Sequence, residues 1–261
     1  MYVKETERVS LLGGNLGYNL LRTLFPAEPK RMDGSTYNKN SKLETLLGPS
    51  IWTDLCDKIV VDFGCGAGIE AIEIAQRGAK RVYGVDVLDR WLNVAREEAA
   101  KVQCQNVVFC KAPPEPANVI ISLDAFEHFA DPAAILEAMS KMLAPGGFVL
   151  ASFGPTWFHP LGGHLFSVFP WAHLIFSEEA LCRWRSHIRN DGATRFDEVE
   201  GGLNQMTIAR FERIVESSPF RMEKFELVPI RAAKAFHNKL TQEFLTAVVR
   251  CKLVLRDHSV F

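Results

Sequence analysis

The sequence has almost no excess of charge of either sign and no long apolar run. Its formal net charge is −1, so it lacks the basic surface with which nucleic-acid-binding domains neutralise phosphates. No apolar run reaches the ~18 residues that a membrane-spanning helix requires. We therefore expect no nucleic-acid partner and no stable membrane insertion.

Paired cysteines are also lacking. The six cysteines are scattered, without a CxxC pair and without the Cys/His spacing of a metal site. The first ten residues carry charges of both signs and have no apolar region of the kind found in secretory signals. These features predict free thiols, no bound metal and a cytoplasmic location.

From Lys58 onward, short apolar runs alternate with segments of helical periodicity. The predicted strands are KIVVDF, RVYGVD, NVVFCKA, NVIISLD and FVLASF, and the predicted helices are IEAIEIAQRG, LDRWLNVAREEAAKV and PAAILEAMSKML. Strands that alternate with helices form parallel sheets through right-handed crossovers. The fold class predicted from this pattern is therefore α/β.

The flanking segments do not follow this alternation. We expect a single domain in four parts: a helical N-terminal cap (1–55), the core (56–152), an insertion after the fifth strand (153–205) and a closing part (206–261). The insertion is rich in aromatic residues and histidines and has no clean period. The closing part contains one helical segment and two more predicted strands, FRMEKFELVPI and LTAVVRCKLVL.

The most informative stretch is the run from Asp62 to Gly68, DFGCGAG, which follows the first predicted strand. Three glycines in five positions indicate a sharp turn or the close approach of a ligand. In open parallel sheets, ligands bind at the carboxyl ends of the strands. The dinucleotide pattern G-x-G-x-x-G requires a third glycine where Ile69 stands, and no Gly-Lys-Ser/Thr of a phosphate-binding P-loop follows.

The pattern D-x-G-x-G-x-G resembles motif I of the class I S-adenosylmethionine-dependent methyltransferases (methyltransferase type 11-like superfamily). Asp86, at the end of the second strand, matches the acidic residue with which that family holds the ribose. NVIISLDAFEHFADP resembles the family's fourth-strand motif, and LAPGG resembles the turn into its fifth strand. The resemblance implies a seven-stranded Rossmann-like sheet with an antiparallel last strand, and S-adenosyl-L-methionine as the cofactor.

The resemblance also implies a set of cofactor-binding residues. They are Asp62, Gly64, Cys65, Gly66, Gly68, Asp86, Val87, Ala112 and Leu123. Leu123 is expected beside the methionine part. The acid that often follows the third strand in this family is absent, so the adenine is assigned to a backbone group near Ala112 and to apolar contact from Val87. Cys65 is interpreted as a small residue that fits the tight turn.

The insertion supplies the candidate catalytic residues. His159 and His164 lie among aromatic residues directly after the fifth strand, and either is predicted to act as a general base or orienting group. His164 follows Gly162-Gly163, whose flexibility would let the loop close over a substrate. His173 is expected to be structural, and so are Glu127 and His128, which are expected to begin a helix.

Three functions are compatible with these features. The first is methyl transfer from S-adenosyl-L-methionine to a small-molecule acceptor, lipid-like acceptors included. The second is a non-catalytic relative that binds the cofactor and serves as a partner. The third is an NAD(P)-dependent oxidoreductase, which the misplaced third glycine disfavours. The sequence leaves the acceptor, the methylated atom and the oligomeric state open.

Overall fold

A computed structural model describes residues 11–26, 41–199 and 201–256. Within these residues, seven strands form one mixed sheet with the order β3-β2-β1-β4-β5-β7-β6. The strands are β1 (Ile59–Phe63), β2 (Arg81–Val85), β3 (Val107–Cys110), β4 (Ala117–Leu123), β5 (Leu143–Phe153), β6 (Phe220–Pro229) and β7 (Thr246–Leu255). Each overlaps a run that the sequence predicts as a strand, and the expected α/β class is confirmed.

Helices pack on both faces of the sheet, and two more, α7 and α8, belong to the insertion. They are α1 (Gly14–Leu24), α2 (Lys42–Leu47), α3 (Ile51–Leu55), α4 (Ile69–Gln76), α5 (Asp89–Lys101), α6 (Pro132–Met142), α7 (Ala172–Ile175), α8 (Glu178–Arg185), α9 (Ile208–Glu216) and α10 (Gln242–Leu245). Among the helices of the described ranges, none combines the length and the apolar character needed to cross a membrane.

The sheet reverses its strand order at β1. This strand pairs in parallel with β2 on one side and with β4 on the other, and β4 pairs in parallel with β5. Strand β7 is antiparallel to both β5 and β6, so the expectation of an antiparallel last strand is confirmed. The carboxyl ends of β1 and β4 therefore lie at the point where connections leave in opposite directions, and in open α/β sheets this is where a ligand crevice forms.

Two apolar cores hold the sheet between its helices. On one face, Phe126, Phe153 and Phe211 are fully buried with side chains of β1, β4 and β5. On the other face, helices α4 and α5 pack on the sheet, and Leu43 of α2 and Ile51 of α3 join them. Each fully buried large apolar side chain stabilises the fold by about 1.5–3 kcal/mol. The strand ends that form the crevice are thus held in a rigid frame.

A third apolar cluster joins α1 to the insertion. Tyr18 and Leu21 of α1 pack with Trp157, Phe166 and Leu181. The backbone N–H of residue 12 donates to the carbonyl of residue 175 at 3.0 Å, and the residue 12 carbonyl accepts from the N–H of residue 177 at 2.8 Å. Between Phe153 and Phe220, the described residues add no strand to the sheet. The four-part boundaries within the domain stay a prediction.

Candidate active site

The glycine turn follows β1 directly and is bonded to the end of β2. Gly64, Gly66 and Gly68 have φ angles of 82°, 50° and 77°, a region that residues with a Cβ rarely adopt. The backbone N–H groups of Gly64 and Cys65 both donate to the Val85 carbonyl, at 2.8 and 3.0 Å. The three glycines are therefore required by the shape of this turn.

Asp86 links the turn to the loop after β2. Its Oδ2 accepts a hydrogen bond from the Gly66 N–H at 3.1 Å, and its Oδ1 accepts one from the Leu88 N–H at 2.8 Å. An ionised carboxylate has about four acceptor positions. Asp86 can therefore hold the backbone in place and still accept hydrogen bonds from the hydroxyl groups of a ligand.

The space beside the turn would let a polar cofactor come close to the polypeptide backbone. A Cβ built on Gly66 meets no atom within 4 Å, so the cradle on that side is open. Asp62 is only 4% exposed, and its Oδ2 has no hydrogen-bond partner among the described residues. Burial, with the nearby charge of Glu70, raises the pKa of Asp62 to about 7. A buried carboxylate oxygen without a partner, beside an open cradle, is what a polar ligand would complete.

Gly68 differs from Gly66 in its surroundings. A Cβ on Gly68 would lie 2.6 Å from the ring of Phe109 and 2.8 Å from the Cβ of Ala95. Gly68 therefore lets α5 and β3 pack closely against the start of α4.

The other predicted cofactor residues lie along the same edge of the sheet. Cys65 is buried in the turn, and burial, with the charge of Asp62, raises the pKa of its thiol, so it is a neutral side chain that fills space. Val87, after β2, is 83% exposed, and Ala112, after β3, is also exposed. Leu123 ends β4 and is half-buried. An exposed Val87 offers an apolar face to a flat ligand.

An ion pair that the sequence analysis missed lies at the end of β4. Lys42 Nζ is 3.1 Å from Asp124 Oδ2, so the start of α2 is tied to the crevice. Asp124 has a φ of 48°, an uncommon conformation that in folded proteins is concentrated at functional sites. Burial raises the pKa of Asp124, and the charge of Lys42 opposes this shift. Asp124 could be suspected from its place after a strand, but no pattern in the sequence points to Lys42.

Glu127 and His128 lie in a turn, so the expectation that they begin a helix is wrong. Helix α6 begins at Pro132, and Asp131 caps it by accepting a hydrogen bond from the Ala134 N–H at 3.0 Å. An aspartate cap followed by proline is a strong helix start, and it overrides the weaker preference of the two residues upstream.

The Glu127 side chain is almost completely enclosed. It is 2% exposed, and its Oε1 accepts a hydrogen bond from the Gly154 N–H at 3.2 Å. Its Oε2 has no partner in the part of the chain that the structure describes. Burial, with the nearby charge of Asp124, raises the pKa of Glu127 to about 8. The carboxyl is therefore mostly protonated at neutral pH.

The same turn anchors the far end of the insertion. The side-chain amide of Asn204 donates to the carbonyls of Phe126 and Phe129, both at 2.7 Å. Nδ1 of His128 donates to the Gly202 carbonyl at 2.6 Å. The insertion is consequently fixed over the end of β4.

Of the two predicted catalytic histidines, His164 lies against this turn. Its ring centroid is 5.3 Å from that of His128, and its buried Nε2 has no partner among the described residues. Burial, with the nearby His128, lowers the pKa of His164 to about 4. The ring is therefore neutral at pH 7 and can accept a proton.

His159 and His173 are bonded within the insertion. The Nδ1 of His159 accepts a hydrogen bond from the Leu161 N–H at 3.0 Å, so in the neutral ring the proton is on Nε2. The Nε2 of His173 donates to the Trp157 carbonyl at 2.7 Å, and its Nδ1 contacts the Ser167 hydroxyl at 3.2 Å. Burial lowers the pKa of both rings to about 4. Neither ring offers a free lone pair as His164 does.

The Gly162-Gly163 pair is explained by close packing. A Cβ on Gly162 would lie 2.2 Å from the Thr156 carbonyl oxygen, and one on Gly163 would lie 2.4 Å from the Cβ of His173. Both glycines are buried. The sequence-based interpretation of a flexible hinge therefore gives way to a requirement for small residues.

The raised pKa of Glu127 makes a testable contribution to stability. Its pKa is about 8 in the fold against an ordinary value of 4.5, so the stabilisation it gives is fully present below pH 4.5 and is lost as pH rises through 8. In Glu127→Gln, the free energy of unfolding should lack this decline, whose slope approaches about 1.4 kcal/mol per pH unit. Urea unfolding from pH 5 to 8 measures it.

The matched control is Glu137→Gln, on the exposed side of α6. This variant should keep the wild-type dependence on pH. Parallel curves for wild type and Glu127→Gln would contradict the assignment of a buried, protonated carboxyl at position 127.

Known proteins resemble this chain in sequence. A family model described as a methyltransferase domain matches residues 21–198. The ubiquinone biosynthesis O-methyltransferase of Neisseria meningitidis serogroup A is 39% identical over 107 residues, which are 38% of this chain and 45% of that protein. The protein of the same name from Acinetobacter baylyi is 37% identical over 106 residues, 38% and 44% of the two chains. The chain thus spans somewhat less than half the length of these curated relatives.

Solved structures show the same architecture. An S-adenosylmethionine-dependent methyltransferase from Mesorhizobium loti has a TM-score of 0.52 at 17% identity and covers 79% of this chain and 96% of its own. One from Aquifex aeolicus has a TM-score of 0.50 at 16% identity and covers 91% and 98%. At these identities the likeness shows the fold. With the family match over residues 21–198, the expectations of a class I methyltransferase fold and of S-adenosylmethionine as its cofactor are confirmed: the chain belongs to the methyltransferase-domain family.

Proposed function

We propose that this chain transfers the methyl group of S-adenosylmethionine to a hydroxyl group of a small-molecule acceptor with an apolar body. The observation that carries the proposal is the open cradle at Gly66, bounded by a carboxylate that already holds the turn. The curated relatives named O-methyltransferases support oxygen as the methylated atom. The aromatic insertion over the strand ends supports an apolar acceptor.

The residues of the cradle would hold the cofactor through separate contacts. Asp86 would accept hydrogen bonds from the ribose hydroxyls, and Val87 and Ala112 would flank the adenine. Leu123, at the end of β4, would lie beside the methionine part, and the buried carboxyl of Asp62 would complete the polar wall. When bound, the cofactor supplies an electrophilic methyl group and its own leaving group. The remaining work of the chain is to align the acceptor, exclude water and remove a proton.

His164 is the residue best suited to take the proton of the acceptor. A hydroxyl nucleophile loses its proton as the new bond forms, and a neutral imidazole with an unpaired nitrogen can receive it. Its Nε2 is buried without a partner among the described residues, and its low pKa keeps the ring neutral. In His159 the proton-bearing Nε2 can orient an acceptor oxygen by donating to it. Glu127 and the Lys42–Asp124 pair, which also lie at the crevice, would line the part of the site that receives the acceptor.

Transfer itself is tested by incubating the purified chain with S-adenosylmethionine that carries a labelled methyl group. The acceptor panel should contain phenols and catechols with and without an isoprenoid tail, matched amines and matched carboxylic acids. We expect label in the hydroxyl compounds, with a preference for those that carry an apolar tail. Cofactor binding without transfer to any panel member or extract component would instead support a binding protein without methyltransferase activity.

The contrast between the glycines gives a prediction about cofactor binding. Gly66→Ala places a methyl group in the open cradle and should weaken cofactor affinity at least about tenfold, while stability falls only by the ~1–2 kcal/mol that a positive φ costs. Gly68→Ala places the methyl group against Phe109, and overpacking should lower its free energy of unfolding by a further 1–3 kcal/mol or so. Isothermal titration and urea unfolding measure the two effects.

Gly146→Ala is the matched control for the destabilisation that a positive φ alone causes. Gly146 has a φ of 76° and no atom within 4 Å of a built Cβ, and it lies inside β5, between Leu143 and Phe148, which both pair with β4. In this variant the free energy of unfolding should fall by the amount that a positive φ costs, and the cofactor affinity should not change. If Gly66→Ala binds the cofactor as tightly as Gly146→Ala does, the cradle is not the cofactor site.

The histidines can be separated by single substitutions once an acceptor is known. His164→Gln removes the proton-accepting nitrogen and should lower turnover by roughly 10²–10⁴-fold with unchanged cofactor affinity. His159→Gln should mainly raise the acceptor KM, because it displaces the donor that orients the acceptor but removes no proton-accepting group. Steady-state kinetics at pH 7 measure both parameters, and full turnover in His164→Gln would show that the base lies elsewhere.

A further inference from the structure

The connection between β6 and β7 exposes large apolar side chains. It contains a 3-10 helix over Arg231–Phe236 and then α10. Phe236 is 70% exposed, Leu240 is 91% exposed and Phe244 is 43% exposed. Single exposed apolar residues are common on protein surfaces, but a contiguous group marks a surface that binds something.

The group continues onto the insertion. The ring centroid of Phe244 lies 5.5 Å from that of Phe158. The indole N–H of Trp171 donates to the Phe158 carbonyl at 2.9 Å, so Trp171 lies beside the same residue. Trp171 is exposed, and so is Leu161. We call the exposed group the apolar patch; its members are Leu161, Trp171, Phe236, Leu240 and Phe244.

The apolar patch lies at the same edge of the sheet as the candidate active site. Strands β5 and β6 are both antiparallel to β7, so they run in the same direction. The end of β6 at Pro229 is therefore at the carboxyl edge, as is the end of β5 at Phe153. The connection that carries the patch leaves from this edge, beside the histidine-bearing segment.

The connection that carries Phe236, Leu240 and Phe244 also carries positive charge. Arg231, Lys234 and Lys239 lie in the same connection and are exposed. The single acidic residue of the connection, Glu243, accepts hydrogen bonds from the backbone N–H groups of residues 208 and 209, at 3.0 and 2.9 Å. Its charge is thus directed to the start of α9. The outer surface of the connection is apolar and cationic.

We propose that the apolar patch docks on the surface of an anionic phospholipid bilayer. Aromatic and leucine side chains enter the boundary between headgroups and acyl chains, and lysine and arginine bind the phosphates. The exposed indole of Trp171 is a side chain that favours this interface. A second copy of this chain fits the patch less well, because a symmetric contact would place its cations against one another.

Docking in this orientation would turn the carboxyl edge of the sheet towards the bilayer. An acceptor with a long apolar tail would then reach the histidine segment without its tail crossing water. The docking itself depends only on the apolar patch and its cations, so it stands apart from the identity of the acceptor and from methyl transfer.

Vesicle flotation tests the docking. Vesicles of three parts phosphatidylcholine to one part phosphatidylglycerol should bind the full chain at least about tenfold more tightly than pure phosphatidylcholine vesicles do. Phe236→Ser/Leu240→Ser and, separately, Lys234→Glu/Lys239→Glu should each reduce binding by about tenfold or more. Added salt should weaken binding of the wild type.

Matched controls lie elsewhere on the chain. Val94→Ser/Val102→Ser changes two exposed apolar residues of the α5 region, and Lys58→Glu/Lys80→Glu reverses two exposed charges just before β1 and β2. Both should bind vesicles like the wild type. The proposal is overturned if the wild type does not float with anionic vesicles, or if the controls lose as much binding as the patch variants. It is also overturned if light scattering shows a dimer that Phe236→Ser/Leu240→Ser dissociates, because the patch would then be an interface between copies.

Discussion

The hydrogen bond from the Gly66 N–H to the Asp86 carboxylate is the constraint on which the site depends. It joins the first two loops at the carboxyl edge of the sheet, and the Leu88 N–H adds a second bond to the same side chain. A turn with three positive φ angles has many alternative conformations, since glycine restricts the backbone little. The Asp86 carboxylate joins the turn after β1 to the loop after β2, and this bond reduces the number of alternative conformations before any ligand binds. The cradle is therefore largely formed in the free chain, and binding does not have to supply its ordering.

A second set of contacts places the acceptor side of the site. The turn after β4 carries Glu127, which bonds to the end of β5, and it receives the side chain of Asn204 from the end of the insertion. The insertion in turn shares an apolar core with α1. The imidazole of His164 packs against the same turn through His128. Burial is also what lowers its pKa, so the same packing that fixes the ring keeps it neutral.

Much of this arrangement could be predicted from local patterns. The strands, the helices α4 and α5 and the glycine turn depend on periodicity and on glycine chemistry, which neighbouring residues determine. The Lys42–Asp124 pair could not be predicted, because its partners are brought together only by the packing of α2 on the sheet. The roles of Gly68 and of Gly162-Gly163 also depend on tertiary neighbours, namely the Phe109 ring and the His173 side chain. The sequence indicated a sharp turn or a close approach at Gly68 and flexibility at Gly162-Gly163, but not the neighbouring side chains that these residues have to avoid.

A crystal structure of the chain with S-adenosylhomocysteine would show whether the Asp86 carboxylate holds the turn and the cofactor together. We expect the ribose hydroxyls to donate to Asp86 while the Gly66 N–H stays bonded to the same carboxylate, with the sulfur end of the ligand towards Leu123. A ligand bound away from Asp86, or a Gly66–Asp86 bond that must break to admit it, would show that Asp86 does not have this double role.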